Sequence, residues 1–217
     1  MPTTVTVTKT LYQFNELDDA AKEKARDWFR EASRDDEFWE YVYEDAATCA
    51  DLMGIDLRQL RRKLADGSHR YDPDISFSGF ASQGDGACFR GTYKYIKGAR
   101  VSSHATGDSD STKELLRIER ELRAIQKRYF YTVTANITTS GRYSHAYTMD
   151  ANFEVHNGER YMKEDDEKDM LQLFRDFANW IYRQLEAEYD YRQSAEQVDE
   201  SIEANEYTFD EHGNRED

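Results

Sequence analysis

The spacing of large apolar residues changes along this chain, and that change limits the folds it can form more than any other feature. Large apolar residues recur every three or four positions from Met170 to Leu185, the period of an amphipathic helix. Elsewhere apolar and polar side chains alternate with a period of two, which is typical of a strand with one buried face. The chain therefore combines helices with an antiparallel sheet.

Two predicted hairpins define the middle of the chain. Glycine-containing turns at 83–86 and 140–142 each join two strand-like runs, and a helix at 112–127 separates the hairpins. We predict an α+β fold in which an antiparallel sheet of about four to six strands is covered by helices on one face. The strands are predicted at 3–11, 75–80, 88–96, 129–139, 143–155 and 207–209, and the other helices at 15–32, 36–53, 57–64, 170–191 and 194–204.

Several local signals refine this prediction. Asn15 or Asp18 can cap the first helix, Gly54 can end the second, and Ser194 with Gln197 forms a capping box for the last. The polar segment 98–110 is predicted to be an exposed loop. On the strand 143–155 the side chains predicted to face inward are those of Tyr143, His145, Tyr147, Met149, Ala151, Phe153 and Val155.

Length and composition predict one folded domain. The 217 residues contain 38% hydrophobic and 13% aromatic side chains, enough to build a core. We predict a single α+β domain over 1–217 with a short frayed acidic tail. Without a signal-like or membrane-spanning run, and with Cys49 and Cys88 in no metal or redox spacing, the expected location is a reducing cytoplasm.

The charge balance is strongly acidic. With 44 acidic against 29 basic side chains the formal net charge is -15. Direct nucleic-acid binding needs an excess of Lys and Arg on one face, so this balance argues against it. It favours a partner with a basic surface.

The acidic residues are concentrated in two segments. Residues 35–56 hold eight acidic and no basic side chains, and residues 186–217 hold twelve acidic side chains against Arg192 and Arg215. Helical spacing places the carboxylates of each segment on one outward stripe. The predicted partner-binding residues are Asp36, Glu37, Glu40, Glu44 and Asp51 on one helix and Glu196, Asp199, Glu200 and Glu203 on the other.

These stripes have two interpretations. Carboxylates four residues apart on a helix rise by about 6 Å, close to the spacing of phosphates along a nucleic-acid strand, so a stripe can imitate a phosphate row. The alternative is that both stripes are solvated surface, as most charged helix faces are.

The sequence gives little support for catalysis. The five histidines are scattered, and no two have the four-residue spacing of a helical zinc site. His145 is predicted to be a core residue, Cys49 lies on the apolar side of its helix, and Asp85 fits a structural role in its glycine-rich turn. We predict no catalytic residues, no metal and no cofactor.

Several segments resemble a family of acidic proteins in phages and other mobile elements. They are YQF at 12–14 with AKEKA at 21–25, FSGFASQGDGACF at 77–89, LEAEY at 185–189 and YTF at 207–209. The resemblance spans nearly the whole chain, and the block at 77–89 is its most specific part. No catalytic residues carry over from it.

The resemblance implies a function in the host cell cytoplasm. It favours a counter-defence protein, an anti-CRISPR-like inhibitor that binds the basic nucleic-acid-binding surface of a CRISPR-Cas or restriction complex through its acidic faces. A phage accessory or antitoxin-like binding protein without nucleic-acid mimicry is the alternative, and a small enzyme is the third. The sequence predicts neither direct nucleic-acid binding nor membrane association.

Overall fold

A computed structural model describes residues 8–34, 36–156 and 161–216 of the chain. Its elements, in chain order, are β1 (Tyr12–Gln13), α1 (Asp19–Ala32), α2 (Glu40–Met53), β2 (Ile55–Leu57), β3 (Gln59–Lys63), β4 (His69–Pro73), β5 (Ile75–Phe77), β6 (Ala87–Phe89), β7 (Gly91–Lys94), α3 (Asp110–Arg128), β8 (Val133–Thr139), β9 (Met149–Val155), α4 (Glu164–Gln193), α5 (Ala195–Ala204), β10 (Thr208–Phe209) and β11 (Arg215–Glu216). Helices together with antiparallel strands confirm the predicted α+β class.

The chain divides into two compact units. The first unit contains the described residues up to Phe38 and from Ala187 onward, and the second unit runs from Trp39 to Glu186. The single domain that length and composition predict stays a prediction beside this division. Both boundaries fall at positions without a Gly or Pro run, and one falls inside α4, so composition gave no sign of them.

A four-stranded antiparallel sheet forms the centre of the second unit, in the order β2, β7, β8, β9. In its register Ala135 lies between Tyr93 and Phe153, and this small residue leaves room for a ring above it. Phe174 of α4 fills that space, with its ring centroid 5.3 Å from Tyr93 and 6.3 Å from Phe153. Full burial of such a side chain stabilises the fold by about 1.5–3 kcal/mol.

The other helices of the second unit bury the faces that the sequence predicts. Leu115, Ile118, Leu122 and Ile125 of α3 are buried, as is the apolar side of α2 from Val42 to Met53. Gly54 ends α2 in a left-handed conformation with φ 90°, which confirms the predicted helix end.

The predicted basic helix at 57–64 is wrong. These residues form the end of β2 and the strand β3, which pairs with β4 in a two-stranded ribbon. Every residue of β3 is exposed, so no apolar period distinguishes strand from helix. Asp66 and Gly67 stand in the turn, where Gly67 has φ 84°, and this turn favours the ribbon.

The prediction for 143–148 is also wrong. The strand β9 begins only at Met149, and Ala146–Thr148 form a 3-10 turn. Tyr143 and Tyr147 are 73% exposed rather than inward-facing. The side chain of His145 accepts a hydrogen bond from the Tyr147 backbone N–H at 3.1 Å, so this histidine caps the turn.

The first unit contains α1, α5 and the three-stranded sheet β1, β10, β11. Asp18 caps α1 by accepting from Ala21 N–H at 2.8 Å, one of the two caps predicted. The core residues are Phe14, Leu17, Ala21, Ala25, Val198, Ile202 and Phe209.

The structure differs from the sequence prediction near both ends of the chain. Most of the strand predicted at 3–11 lies outside the described residues, and the described strand begins at Tyr12. The strand predicted at 207–209 is confirmed as β10, with Phe209 fully buried, but the tail after it, predicted to be frayed, forms β11. Gly213 turns between these strands with φ 77°, where a Cβ would lie 2.1 Å from the Ala21 carbonyl oxygen.

Across the described ranges of the chain, none of the helices has the length and apolar character needed to cross a membrane.

Candidate functional site

Helix α5 presents the clearest acidic face of the molecule. Ser194 caps it by accepting from Gln197 N–H at 3.3 Å, which confirms the predicted start. Val198 and Ile202 are buried below. Glu196, Glu200 and Glu203 project from the opposite side, and we call these three residues the α5 acidic face.

The α5 acidic face is not neutralised within its unit. Glu196, Glu200 and Glu203 are all exposed, and in the described part of the chain no Lys, Arg or His forms an ion pair with them. The first and third carboxylates are separated by seven residues, an axial rise of about 10 Å. Because no cation offsets them, their field extends into solvent.

Asp199 does not belong to this face, although the sequence placed it there. Its two carboxylate oxygens accept hydrogen bonds from Nε and Nη2 of Arg26 on α1, at 2.6 and 2.7 Å. These bonds, with a further one to Glu23, raise the pKa of Arg26. Asp199 is therefore a packing contact between α1 and α5.

The predicted stripe on α2 is shorter than expected. The helix begins at Glu40, so Asp36 and Glu37 precede it and helical spacing does not apply to them. These two residues belong to the first unit and are exposed. Only Glu40, Glu44 and Asp51 share a face of α2.

That face of α2 is partly neutralised by the ribbon of β3 and β4. Arg70 of β4 forms an ion pair with Glu40 and also donates to Asp72 at 2.5 Å. Between α2 and the ribbon lies a groove of about 810 Å³, whose charged lining includes Arg61, Arg62 and Arg70 as well as Glu40 and Glu44. A groove of mixed sign is a weaker imitation of a phosphate row than the α5 acidic face.

Glu44 and Asp51 remain as exposed carboxylates on α2. Partial burial, with a smaller contribution from Asp56, raises the pKa of Asp51. The cluster of basic residues at 58–63 was visible in the sequence. Because we predicted a helix there instead of a strand, we had no reason to expect these arginines beside the acidic residues of α2.

The glycine-rich turn at 83–86 has a structural explanation. The carboxylate of Asp85 accepts hydrogen bonds from the backbone N–H groups of Ala81 and Ser82, at 3.1 and 2.7 Å. Gly84 has φ 103°, a conformation that glycine adopts without strain. Asp85 thus satisfies its own loop, as the sequence predicted.

A group that sequence analysis missed lies beside α2. Asp45 and Cys49 are four residues apart on the helix, and His104 approaches them from the loop before α3. Nε2 of His104 lies 2.6 Å from Oδ1 of Asp45. The four-residue spacing of Asp45 and Cys49 could have indicated a pair of metal ligands on one helix face. The sequence could not show that His104, 55 residues after Cys49 and in a loop, lies beside them.

Cys49 and Cys88 are both buried and free.

Comparison with protein families shows which family the chain matches. The model of a family described as a domain of unknown function (DUF8835) matches residues 38–195. Searches of curated proteins and of solved structures returned no match. The matched range contains α2, the sheet of the second unit and the Asp45, Cys49 and His104 group, but it ends just before the α5 acidic face.

Proposed function

The chain belongs to the DUF8835 family, and we propose that it acts by binding a partner protein that has a basic surface. The α5 acidic face is the proposed contact. The observation that carries this proposal is that, among the described residues, no Lys, Arg or His pairs with Glu196, Glu200 or Glu203, on a helix whose other side is anchored in the core. A rigid row of uncompensated carboxylates both attracts and orients a cationic surface.

The contrast with the neighbouring acidic residues supports this choice. Asp199 on the same helix is paired with Arg26, and Glu23 and Asp27 on α1 pair with Arg30. Glu23, Asp27 and Asp199 are thus matched with arginines, while within the described residues the carboxylates of the α5 acidic face are not. Since mixed signs are the usual composition of a solvated helix face, the exception favours an external partner.

The specific form we propose is a counter-defence inhibitor. Its partner would be the nucleic-acid-binding surface of a bacterial defence complex, where Lys and Arg are arranged to contact phosphates. Glu196 and Glu200 are one helical turn apart, a rise of about 6 Å, which is close to the spacing of successive phosphates. The proposal predicts competition between this chain and DNA or guide RNA for one surface.

An accessory binding protein without mimicry is the competing proposal. It would use an apolar or shape-based contact, for which the exposed Tyr143 and Tyr147 of the second unit offer aromatic surface. The two proposals differ in salt dependence, because added salt screens the attraction between exposed charges, with a Debye length of about 8 Å at physiological ionic strength, and leaves an apolar contact nearly unchanged.

The test is a comparison of two charge-matched variants. The chain is used to capture partners from infected cells, and affinity for the captured partner is then measured at several salt concentrations. One variant carries Glu196→Lys, Glu200→Lys and Glu203→Lys. The control carries Asp108→Lys, Glu154→Lys and Glu211→Lys, which change the net charge equally at side chains that are 95%, 76% and 72% exposed elsewhere.

The proposal expects salt-sensitive binding that DNA or guide RNA displaces, lost in the first variant and kept in the control. Equal binding by both variants, at an affinity that does not change with salt, would refute it and favour the shape-based contact.

A further inference from the structure

Three side chains with metal-binding atoms meet beside α2 in the second unit. Asp45 and Cys49, four residues apart, lie on the same side of the helix. His104 follows the 3-10 turn Val101–Ser103 and brings its ring to them. One ligand atom from each residue, an oxygen, a sulfur and a nitrogen, lies within 4.8 Å of the other two.

We propose that Asp45, Cys49 and His104 form a binding site for a zinc ion. Thiolate sulfur, imidazole nitrogen and carboxylate oxygen are together the ligand set that Zn²⁺ uses in proteins. Mg²⁺ and Ca²⁺ take oxygen ligands, so a set with sulfur and nitrogen excludes them as preferred ions. Three protein ligands leave one tetrahedral position for water or another small ligand.

The present separations suit this role after small side-chain rotations. Tetrahedral zinc with ordinary bond lengths holds its ligand atoms about 3.4 to 3.6 Å apart. The Asp45 and His104 atoms, now 2.6 Å apart in a hydrogen bond, would move outward by somewhat less than 1 Å. The other two separations are no larger than 4.8 Å, so each has to close by at most about 1.2 to 1.4 Å to reach the tetrahedral spacing.

The loop that carries His104 is held in place by burial and by hydrogen bonds. Val101 is fully buried, and its N–H donates to the carboxylate of the buried Glu119 at 3.3 Å. Arg123 donates to the Ala99 carbonyl at 2.9 Å, and the His104 N–H donates to the Val101 carbonyl at 2.9 Å. Such outer contacts orient a ligand in advance and strengthen metal binding.

Binding of the ion would change the protonation of Cys49 and the hydrogen bond between Asp45 and His104. Burial, with a smaller effect of Asp45, raises the pKa of the Cys49 thiol to about 12, so without metal the sulfur keeps its proton. Zinc binds the thiolate, and the thiol proton is released to solvent on binding. The proton shared by Nε2 of His104 and Oδ1 of Asp45 must also leave their hydrogen bond. It passes to solvent, or to Nδ1 by a change of tautomer, so that the ring nitrogen and the carboxylate can each bind the ion.

The experiment uses the full chain, stripped with a chelator and titrated with Co²⁺ as a spectroscopic substitute for Zn²⁺. The expected result is a sulfur-to-cobalt charge-transfer band with the visible bands of tetrahedral cobalt, displaced by added Zn²⁺. Cys49→Ser should abolish the charge-transfer band. His104→Ala and Asp45→Asn should each weaken Zn²⁺ affinity by about tenfold or more, measured against a competing chelator.

Matched controls separate this site from general metal binding. Cys88→Ser removes the other buried thiol and Asp56→Asn removes an exposed carboxylate near α2, and both should leave the titration unchanged. The side chains of Asp45 and His104 are 47% and 39% exposed, so their variants test the site even if Cys49→Ser fails to fold.

Absence of a charge-transfer band at millimolar cobalt would overturn the proposal. So would a Zn²⁺ affinity that His104→Ala and Asp45→Asn leave unchanged. The site shares no residue with the α5 acidic face, and its test is independent of any partner.

Discussion

The guanidinium of Arg26 donates hydrogen bonds to both carboxylate oxygens of Asp199, at 2.6 and 2.7 Å, and so connects α1 to α5. The two residues are 173 positions apart in the sequence. The side chains are only 19% and 30% exposed, which makes this a partly buried, two-bond ion pair of the kind that contributes measurably to stability.

Asp199→Asn should therefore destabilise the fold. Loss of the charged hydrogen bonds is expected to lower the free energy of unfolding by about 1–2 kcal/mol, measured by urea denaturation. Glu200→Gln on the next position, which has no recorded ion pair in the described chain, should change it by less than about 0.5 kcal/mol. Equal effects of the two changes would show that the Arg26 contact does not stabilise the unit.

The α5 acidic face should control association but not folding. The variant Glu196→Lys, Glu200→Lys, Glu203→Lys is expected to weaken partner affinity by about tenfold or more at low salt, mainly by slowing association. Its melting temperature should stay near that of wild type, because all three side chains point away from Val198 and Ile202. Stopped-flow association rates at several salt concentrations measure the first effect, and calorimetry measures the second.

Asp166 in the first turn of α4 should make stability depend on pH. Burial alone would raise its pKa, but hydrogen bonds from Tyr129 and Arg128 outweigh burial and lower it. A lowered pKa adds stability above the unfolded value of about 3.9, and that stability is lost as the pH falls through the folded pKa.

The measurement that tests this is the decrease in the free energy of unfolding caused by Asp166→Asn, determined at several pH values. Unfolding free energies are expected to differ from wild type by about 1 kcal/mol at neutral pH. The difference should shrink as the pH falls below about 4 and vanish once the pH is below the lowered folded pKa. A difference that stays constant from neutral pH into acid would assign the effect to packing instead of charge.

Phe174 should be a costly truncation in the second unit. It is fully buried and contacts the rings of Tyr93 and Phe153. Phe174→Ala is expected to lower the free energy of unfolding by about 3–5 kcal/mol through lost burial and a cavity. Phe174→Leu, which retains most of the volume, provides the control and should cost less; a loss of under about 1 kcal/mol for the alanine variant would contradict this packing.

Elements with a buried face were predictable from sequence. Ser194 as a cap and Val198 and Ile202 as the inward side of α5 follow from capping preferences and helical period alone. The same reasoning placed α3, the end of α2 at Gly54 and α4 from residue 170 onward, but it missed the first turns of α4, which begins at Glu164. In these segments local propensity and tertiary burial agree, so a local pattern carries the information.

Segments without a buried face were not predictable. The strand β3 is exposed along its whole length, and Tyr147 lies in a turn although it fits an alternating pattern. The candidate sites show the same limit. Arg26 and Asp199 pair across 173 positions, and His104 reaches Asp45 across 59, so neither contact leaves a mark in local spacing.

The close approach of Gly213 to the Ala21 carbonyl has a consequence for the order of assembly during synthesis. Residues 39–186 are all translated before the segment that completes the first unit, so the sheet of the second unit can form while the chain is still growing. Helix α1 is made before residues 39–186, whereas Val198, Ile202 and Phe209, which share a core with Ala21 and Ala25, are made after them. The apolar side of α1 therefore stays uncovered while the second unit is translated, an interval in which it is open to chaperones and to non-native contacts.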